Sequence, residues 1–176
     1  MGKYTLRGKI VEAFPLGVFV QKTQLMNDKM KIAFAVILYY TGVRVSELLR
    51  AEKTAFTITD TALIFNVGKR LKRGKETEPL SMPLELPFIE DVAKWIKHHR
   101  KGSLFSFNRV TAWRIIRDTY QAYPQYFRLN RITFFLREGM SIPEVMSWTG
   151  HKRMETLNAY MGVVSMERLS KSLLKK

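Results

Sequence analysis

Cysteine is absent from the 176-residue chain. Disulfides, Cys-type zinc sites and cysteine nucleophiles are thereby excluded. Long apolar runs are missing as well: no stretch approaches the roughly 18 residues of a transmembrane helix, so none is expected. The opening residues, MGKYTLRGKIVEAFPLGVF, lack the compact apolar centre of a signal peptide. Leu6 stands where an N-myristoylation motif needs Ser or Thr. Acidic residues are few, 15 Asp+Glu against 30 Lys+Arg, and they do not cluster at metal-ligand spacing. A metal-dependent nuclease, which holds its ions on carboxylates, is disfavoured, and neither a metal nor another cofactor is expected. Histidine is scarce too. His98 and His99 adjoin in IKHHRKG, which reads as a solvated basic helix end where cations suit the helix dipole; His151 is the third.

What is abundant is positive charge. The formal net charge is +15. Such an excess repels itself in a compact chain and calls for a polyanionic partner, nucleic acid first and an anionic membrane surface second. Hydrophobic residues make up 46% of the chain, so a folded protein is expected rather than a disordered basic tail. The length suits one domain, or one domain with a short tail.

The pattern along the chain predicts a mainly α fold with a small antiparallel β-sheet and hairpin. Residues 1–25 read as an N-terminal arm or linker with a strand-like VFVQ. MNDKMKIAFAVILYYTGVR reads as a buried helix ending near Gly42, and VSELLRAEK opens a short second helix. AFTITDTALIFNVGK is β-branched and aromatic with a turn at TDT, and PLSMPLEL returns as a strand after the charged loop RLKRGKETE. Helices follow in LPFIEDVAKWIKHHRKG, with Gly102 as stop, and in FNRVTAWRIIRDTYQAY, capped by Ser106 or Asn108. QYFRLNRITFFLREG ends at Gly139. SIPEVMSWTG opens on a capping box of Ser141 and Glu144 with Pro143 in the first turn. METLNAYMG is a short helix carrying Tyr160, and SMERLSKSLLKK an amphipathic tail.

The candidate chemistry begins with arginine. Attack on a phosphodiester builds charge on the non-bridging oxygens, and planar guanidinium groups meet that charge with paired N–H donors at any working pH. Arg44, in TGVRVSELL, follows a buried helix and a glycine turn. Arg128, in QYFRLNRITFF, lies beside an apolar helix stripe.

In order along the chain stand YYTGVRVSELL, VGK after a strand, the arginine helix ending at Gly139, and GMSIPEVMSWTGHKRMETLNAYM. Together these motifs make the chain resemble the tyrosine recombinase (integrase) family from about Met26 onward, over its catalytic domain. The resemblance implies a domain over residues 26–162 and a C-terminal tail helix over 163–176. It also implies metal-free cleavage and rejoining of double-stranded DNA through a 3′-phosphotyrosyl link, for integration or excision of a mobile element. Arg44 and Arg128 then fall on the two arginines that bind the scissile phosphate. Lys69 falls on the hairpin lysine that protonates the leaving 5′-oxygen; a lysine is protonated at neutral pH and serves as an acid once oriented. His151 falls on the histidine that hydrogen-bonds the phosphate, and Tyr160 on the nucleophile. Covalent storage of the phosphodiester on tyrosine makes ATP and metal dispensable.

Two departures stand out. Gln125 occupies the place where the family has histidine or lysine, in QYFR; glutamine hydrogen-bonds but takes no proton. Free tyrosine has a pKa near 10, so Tyr160 needs help to ionise. The arginines, His151, water and the departing oxygen are all open as sources of it. The hairpin is also longer than the family's, and Lys72 and Lys75 share its loop with Lys69. Lys69 is preferred because it directly follows strand and glycine. Arg70, Lys72, Arg73, Lys75 and Lys152 are assigned to DNA phosphates. Arg131 is read as a DNA backbone or structural contact, and Arg137 likewise.

Glu47 is read as an orienting group, not a proton carrier. Tyr39 and Tyr40 are read as packing, Trp95 and Trp113 as parts of apolar stripes, and Trp148 as core beside His151. The family's N-terminal core-binding domain has no counterpart before Met26, which suggests a catalytic fragment or a short member. The family also implies a tetramer when synapsed on DNA, a monomer when free, and a place in the nucleoid of a prokaryotic host. Competing readings are a type IB topoisomerase, which reseals the same strand, and a DNA-binding module that has lost catalysis.

Overall fold

Two short extended segments, β1 (Lys3–Leu6) and β2 (Lys9–Glu12), open the chain and pair antiparallel from Lys3 opposite Glu12 to Leu6 opposite Lys9. They are part of a computed structural model that describes residues 3–6, 9–12, 14–68, 79–151, 153–155 and 157. Helix α1 (Leu16–Gln24) follows. Its residues Val18–Gln21 are therefore helical, not strand-like as their β-branched character suggested. Tertiary packing decides the matter: the Phe19 ring is fully buried. It stacks on Tyr39 at 3.9 Å and on Tyr120 at 5.3 Å, with near-parallel planes. Those aromatic contacts outweigh a weak local propensity. The packed core thus begins ahead of Met26.

Helix α2 (Lys29–Thr41) is buried at every residue from Ala33 to Thr41. A helix apolar on all sides has to run through the middle of a fold. Asp28 starts it, its carboxylate accepting from the backbone N–H of Met30 and Lys31. Gly42 stops it in the left-handed conformation at φ 63°. A Cβ there would also stand 3.0 Å from the Arg131 Cβ and 3.4 Å from the Arg128 Cα. Glycine is thus required twice over, and its bareness lets a later helix approach the end of α2.

A single-turn helix, α3 (Val45–Leu48), leads into the sheet. β3 (Phe56–Ile58), β4 (Ala62–Phe65) and β5 (Leu80–Pro83) form an antiparallel sheet in that order, with the turn between β3 and β4 where TDT predicts it. Phe56 and Phe65 are register partners whose rings stack at 4.4 Å. The basic segment RLKRGKETE, expected as a loop, falls within residues 69–78, which lie outside the described residues.

Helix α4 (Ile89–His98) packs on this sheet. It ends at His98 rather than running to Gly102, because Lys53 intervenes: its ammonium donates to the carbonyls of Lys97 at 2.6 Å and His99 at 2.7 Å. In α5 (Arg109–Tyr120) the cap is Asn108, whose side chain accepts from the Thr111 N–H at 3.0 Å. Trp113 is off the buried stripe and 38% exposed. It lies beside the Tyr123 ring and under the Arg117 guanidinium, an amphipathic surface arrangement rather than core. Trp95 does pack against the core.

Helix α6 (Pro124–Arg137) starts on proline, whose missing N–H costs nothing in the first turn. After a glycine turn at Gly139, α7 (Ile142–Thr149) begins on the expected box: Ser141 accepts from the Glu144 N–H while Glu144 accepts from that of Ser141. Trp148 packs against both the main core and a smaller cluster of Ile132, Phe135, Leu136, Val145 and Leu157. Its indole N–H donates to the Thr41 carbonyl at 3.0 Å, tying α7 to the end of α2. Among the described residues, no helix is long and apolar enough to cross a membrane.

Candidate active site

The ends of α2 and α7 and the starts of α3 and α6 meet in one place, and that meeting collects the polar side chains. Arg44 sits at the N-cap of α3. Its backbone N–H donates to Glu47 Oε2 and its Nη1 to Glu47 Oε1, both at 2.8 Å. One carboxylate therefore closes the helix start and aims the guanidinium. The Arg44 side chain keeps 45% of its surface exposed while Glu47 keeps 13%, so the acid is fixed within the fold and the cation reaches outward. Nη2 of Arg44 donates to the Gly150 carbonyl at 3.4 Å.

Arg128 is nearly buried, at 8% exposure. It is held by backbone: Nη1 donates to the Gly42 carbonyl at 2.7 Å and Nη2 to the Thr149 carbonyl at 2.6 Å. The two arginines thus grip consecutive carbonyls at the C-terminus of α7. That is where a helix leaves carbonyls unsatisfied and its dipole favours cations.

His151 stands just past this turn, which Gly150 makes at φ 68°. Its Nδ1 lies 2.6 Å from Thr149 Oγ1. Nη2 of Arg128 lies 3.5 Å from both ring nitrogens. Arg44, Arg128 and His151, chosen from distant parts of the sequence, are therefore brought together. Gln125 is exposed in the first turn of α6, one helical step before Arg128. Lys69 and Tyr160 lie outside the described residues, as do Arg70, Lys72, Arg73, Lys75 and Lys152.

Arg131 takes the structural of its two expected roles. Its guanidinium donates to the Tyr39 carbonyl at 3.3 Å and faces the rings of Tyr39, Tyr40, Phe134 and Phe135. Burial holds its pKa below the usual arginine value. Four rings and a carbonyl thus hold this cation against the ends of α2 and α6.

The buried tyrosines make poor nucleophiles. Burial raises the pKa of Tyr39 and pushes those of Tyr40 and Tyr120 up to about 12, so all three remain phenols. Thr149, whose hydroxyl meets His151 Nδ1 at 2.6 Å, is a polar neighbour in the site that sequence reasoning missed. Its signal was its place directly before Gly150–His151, but a threonine there reads as an ordinary last-turn residue.

A model of the phage integrase family matches residues 19–166. The tyrosine recombinase of Pseudothermotoga lettingae is 28% identical over 152 residues, covering 81% of this chain and 53% of that protein. The chain spans about half the length of the curated relatives it matches, between 53% and 55%. Among solved structures, the XerA recombinase superposes with a TM-score of 0.67 at 19% identity, over 98% of this chain and 66% of that one. The Tn1549 transposon integrase in complex with transposon right end DNA superposes with a TM-score of 0.56 at 18% identity, over 91% and 66%.

Proposed function

The chain belongs to the phage integrase family, and on that premise we propose that it is the catalytic domain of a tyrosine recombinase, cleaving and rejoining double-stranded DNA for integration or excision of a mobile element. The observation that carries this reading is the convergence of Arg44 and Arg128 on the carbonyls of Gly150 and Thr149, beside His151. Two guanidinium groups held rigidly from separate helices form a preorganised cradle for a phosphate whose charge grows during attack. A guanidinium has five N–H donors, so anchoring on carbonyls is compatible with donation to phosphate oxygens.

In this mechanism Tyr160 attacks phosphorus and a 3′-phosphotyrosyl bond forms as the bond to the 5′-oxygen breaks. Lys69 gives the leaving oxygen its proton, and Arg44 and Arg128 hold the phosphate throughout. A 5′-hydroxyl then attacks the phosphotyrosine and restores the phosphodiester. Covalent storage of the bond energy makes ATP unnecessary. Arg70, Lys72, Arg73, Lys75 and Lys152 contact DNA phosphates without chemistry. The working assembly is a homotetramer synapsed on DNA, in the nucleoid of a prokaryotic host, with residues 163–176 as its tail.

The test is incubation with supercoiled plasmid in EDTA, stopped with SDS, beside a Tyr160→Phe control. Relaxed circles and protein-linked DNA that vanish in the control are expected. Binding without any cleavage would favour a DNA-binding module over an enzyme.

A further inference from the structure

Thr149 is fully buried, and its hydroxyl lies between two polar atoms: the Val145 carbonyl at 2.5 Å and His151 Nδ1 at 2.6 Å. A hydroxyl has one proton. A carbonyl oxygen has none, so a 2.5 Å approach of two oxygens requires that proton to lie between them. The lone pair of Oγ1 is then what faces His151, and Nδ1 must donate to it. Nε2 is then the ring nitrogen with the lone pair; Nη2 of Arg128, 3.5 Å from both ring nitrogens, does not distinguish them.

We propose that Thr149 is a positioning residue: its hydroxyl holds neutral His151 in the Nδ1–H form, so that Nε2 carries the lone pair and takes the proton of the attacking tyrosine. This rests on the recombinase function above and deepens it. Gln125, at the position one helical step before Arg128, accepts no proton, so the work falls to another group of the site. In the step itself the phenolic O–H bond breaks and its proton passes to Nε2. The phenolate oxygen bonds to phosphorus, the bond to the 5′-oxygen breaks, and Lys69 protonates the leaving oxygen. His151, now an imidazolium, offers an Nε2–H to the charged phosphate. The device is local to this chain's TGH sequence, because a side chain without a hydroxyl at Thr149 would leave the ring to select its own tautomer.

The experiment uses the full chain labelled with 15N. Long-range proton–nitrogen correlation spectra at pH about 8, above the usual histidine pKa, report which ring nitrogen carries hydrogen. A His151→Gln sample identifies the signal among the three histidines. The wild type is expected to show Nδ1–H, Thr149→Ser the same, and Thr149→Val a shift to Nε2–H. Wild type in the Nε2–H form, or a tautomer indifferent to valine, overturns the assignment of Thr149.

Cleavage of a nicked DNA substrate gives the second readout. Thr149→Val should cut at least about tenfold more slowly at neutral pH, short of the roughly 100- to 10,000-fold of a general base lost outright. Serine should restore the rate, and the valine deficit should shrink as pH rises and the phenol ionises unaided. A switched tautomer with unchanged cleavage overturns the proton-acceptor role. A wild type that cuts no DNA overturns the recombinase reading and that role together, while the spectra still decide what sets the tautomer.

Discussion

Gly42 and Arg128 depend on each other: the carbonyl of one accepts the Nη1 of the other at 2.7 Å, and a Cβ on the glycine would stand 3.4 Å from the arginine's Cα. The residue that ends α2 therefore also seats α6, and with it the most buried guanidinium of the site. Gly42→Ala adds a methyl group 3.0 Å from the Arg131 Cβ and forces alanine into φ 63°. A loss of about 1–3 kcal/mol of stability is expected. Cleavage should fall further than stability does, because Arg128 shifts with α6. Thermal melting and single-turnover cleavage at a temperature where the variant is folded separate the two effects. A variant that melts lower yet cleaves normally would show that the Gly42 contact does not position Arg128.

Arg128 itself divides its donors between Gly42 and Thr149. Arg128→Lys keeps the charge but loses the planar fork, and an ammonium cannot span both carbonyls while facing a phosphate. Both Arg128→Lys and Arg128→Ala should lose about 100-fold or more in cleavage rate, as removal of a preorganised transition-state donor does. Lysine that restores most of the activity would mean that charge alone is required there.

Glu47 spends both carboxylate oxygens on Arg44, one on its backbone and one on its guanidinium. Glu47→Gln can accept one of those bonds but not both, and loses the ionic attraction. Because Arg44 is half exposed, the stability change should stay under about 1 kcal/mol. The cleavage rate should fall about tenfold, the equivalent of 1.4 kcal/mol of lost transition-state stabilisation. Equal cleavage by the glutamine variant would reduce Glu47 to a helix cap.

Much of this fold was legible where local chemistry and global packing agree. The all-apolar run of α2, its glycine stop and the box that opens α7 each state their structure in a few adjacent residues. The misreadings have the opposite character. Val18–Gln21 is β-branched, but Phe19 finds its partners in Tyr39 and Tyr120, which lie far along the chain. The end of α4 is set by Lys53, and the position of Trp113 by Tyr123. Of the site, Arg44, Arg128 and His151 were found through ordered motifs, since no single box reveals its partners. The role proposed for Thr149 rests on where one hydroxyl proton goes, and that is argued from the Val145 carbonyl and His151 Nδ1 on either side of it, contacts that no run of residues spells out.

The last prediction concerns Tyr40. Its hydroxyl is buried and finds no hydrogen-bond partner among the described residues. A buried unsatisfied group of this kind costs about 1–3 kcal/mol. Tyr40→Phe removes the group and keeps the ring, so the variant should melt above the wild type. A pH dependence follows. Burial pushes the Tyr40 pKa up to about 12, against 10.0 for the free side chain. Between those values the unfolded chain has lost a proton that the folded chain keeps, so folding stability falls as pH rises through this window. Below about pH 10 both states hold the proton and the effect vanishes. Tyr120, also pushed up to about 12 by burial, adds a loss of the same sign, offset in part by its hydrogen bond with Thr23. Denaturant midpoints measured from about pH 8 to about pH 12, a range that takes in both pKa values, should fall less steeply for Tyr40→Phe than for the wild type. Parallel curves would mean that the Tyr40 phenol titrates alike in both states; a lower melting point for the variant would mean that its hydroxyl has a partner worth more than its burial costs.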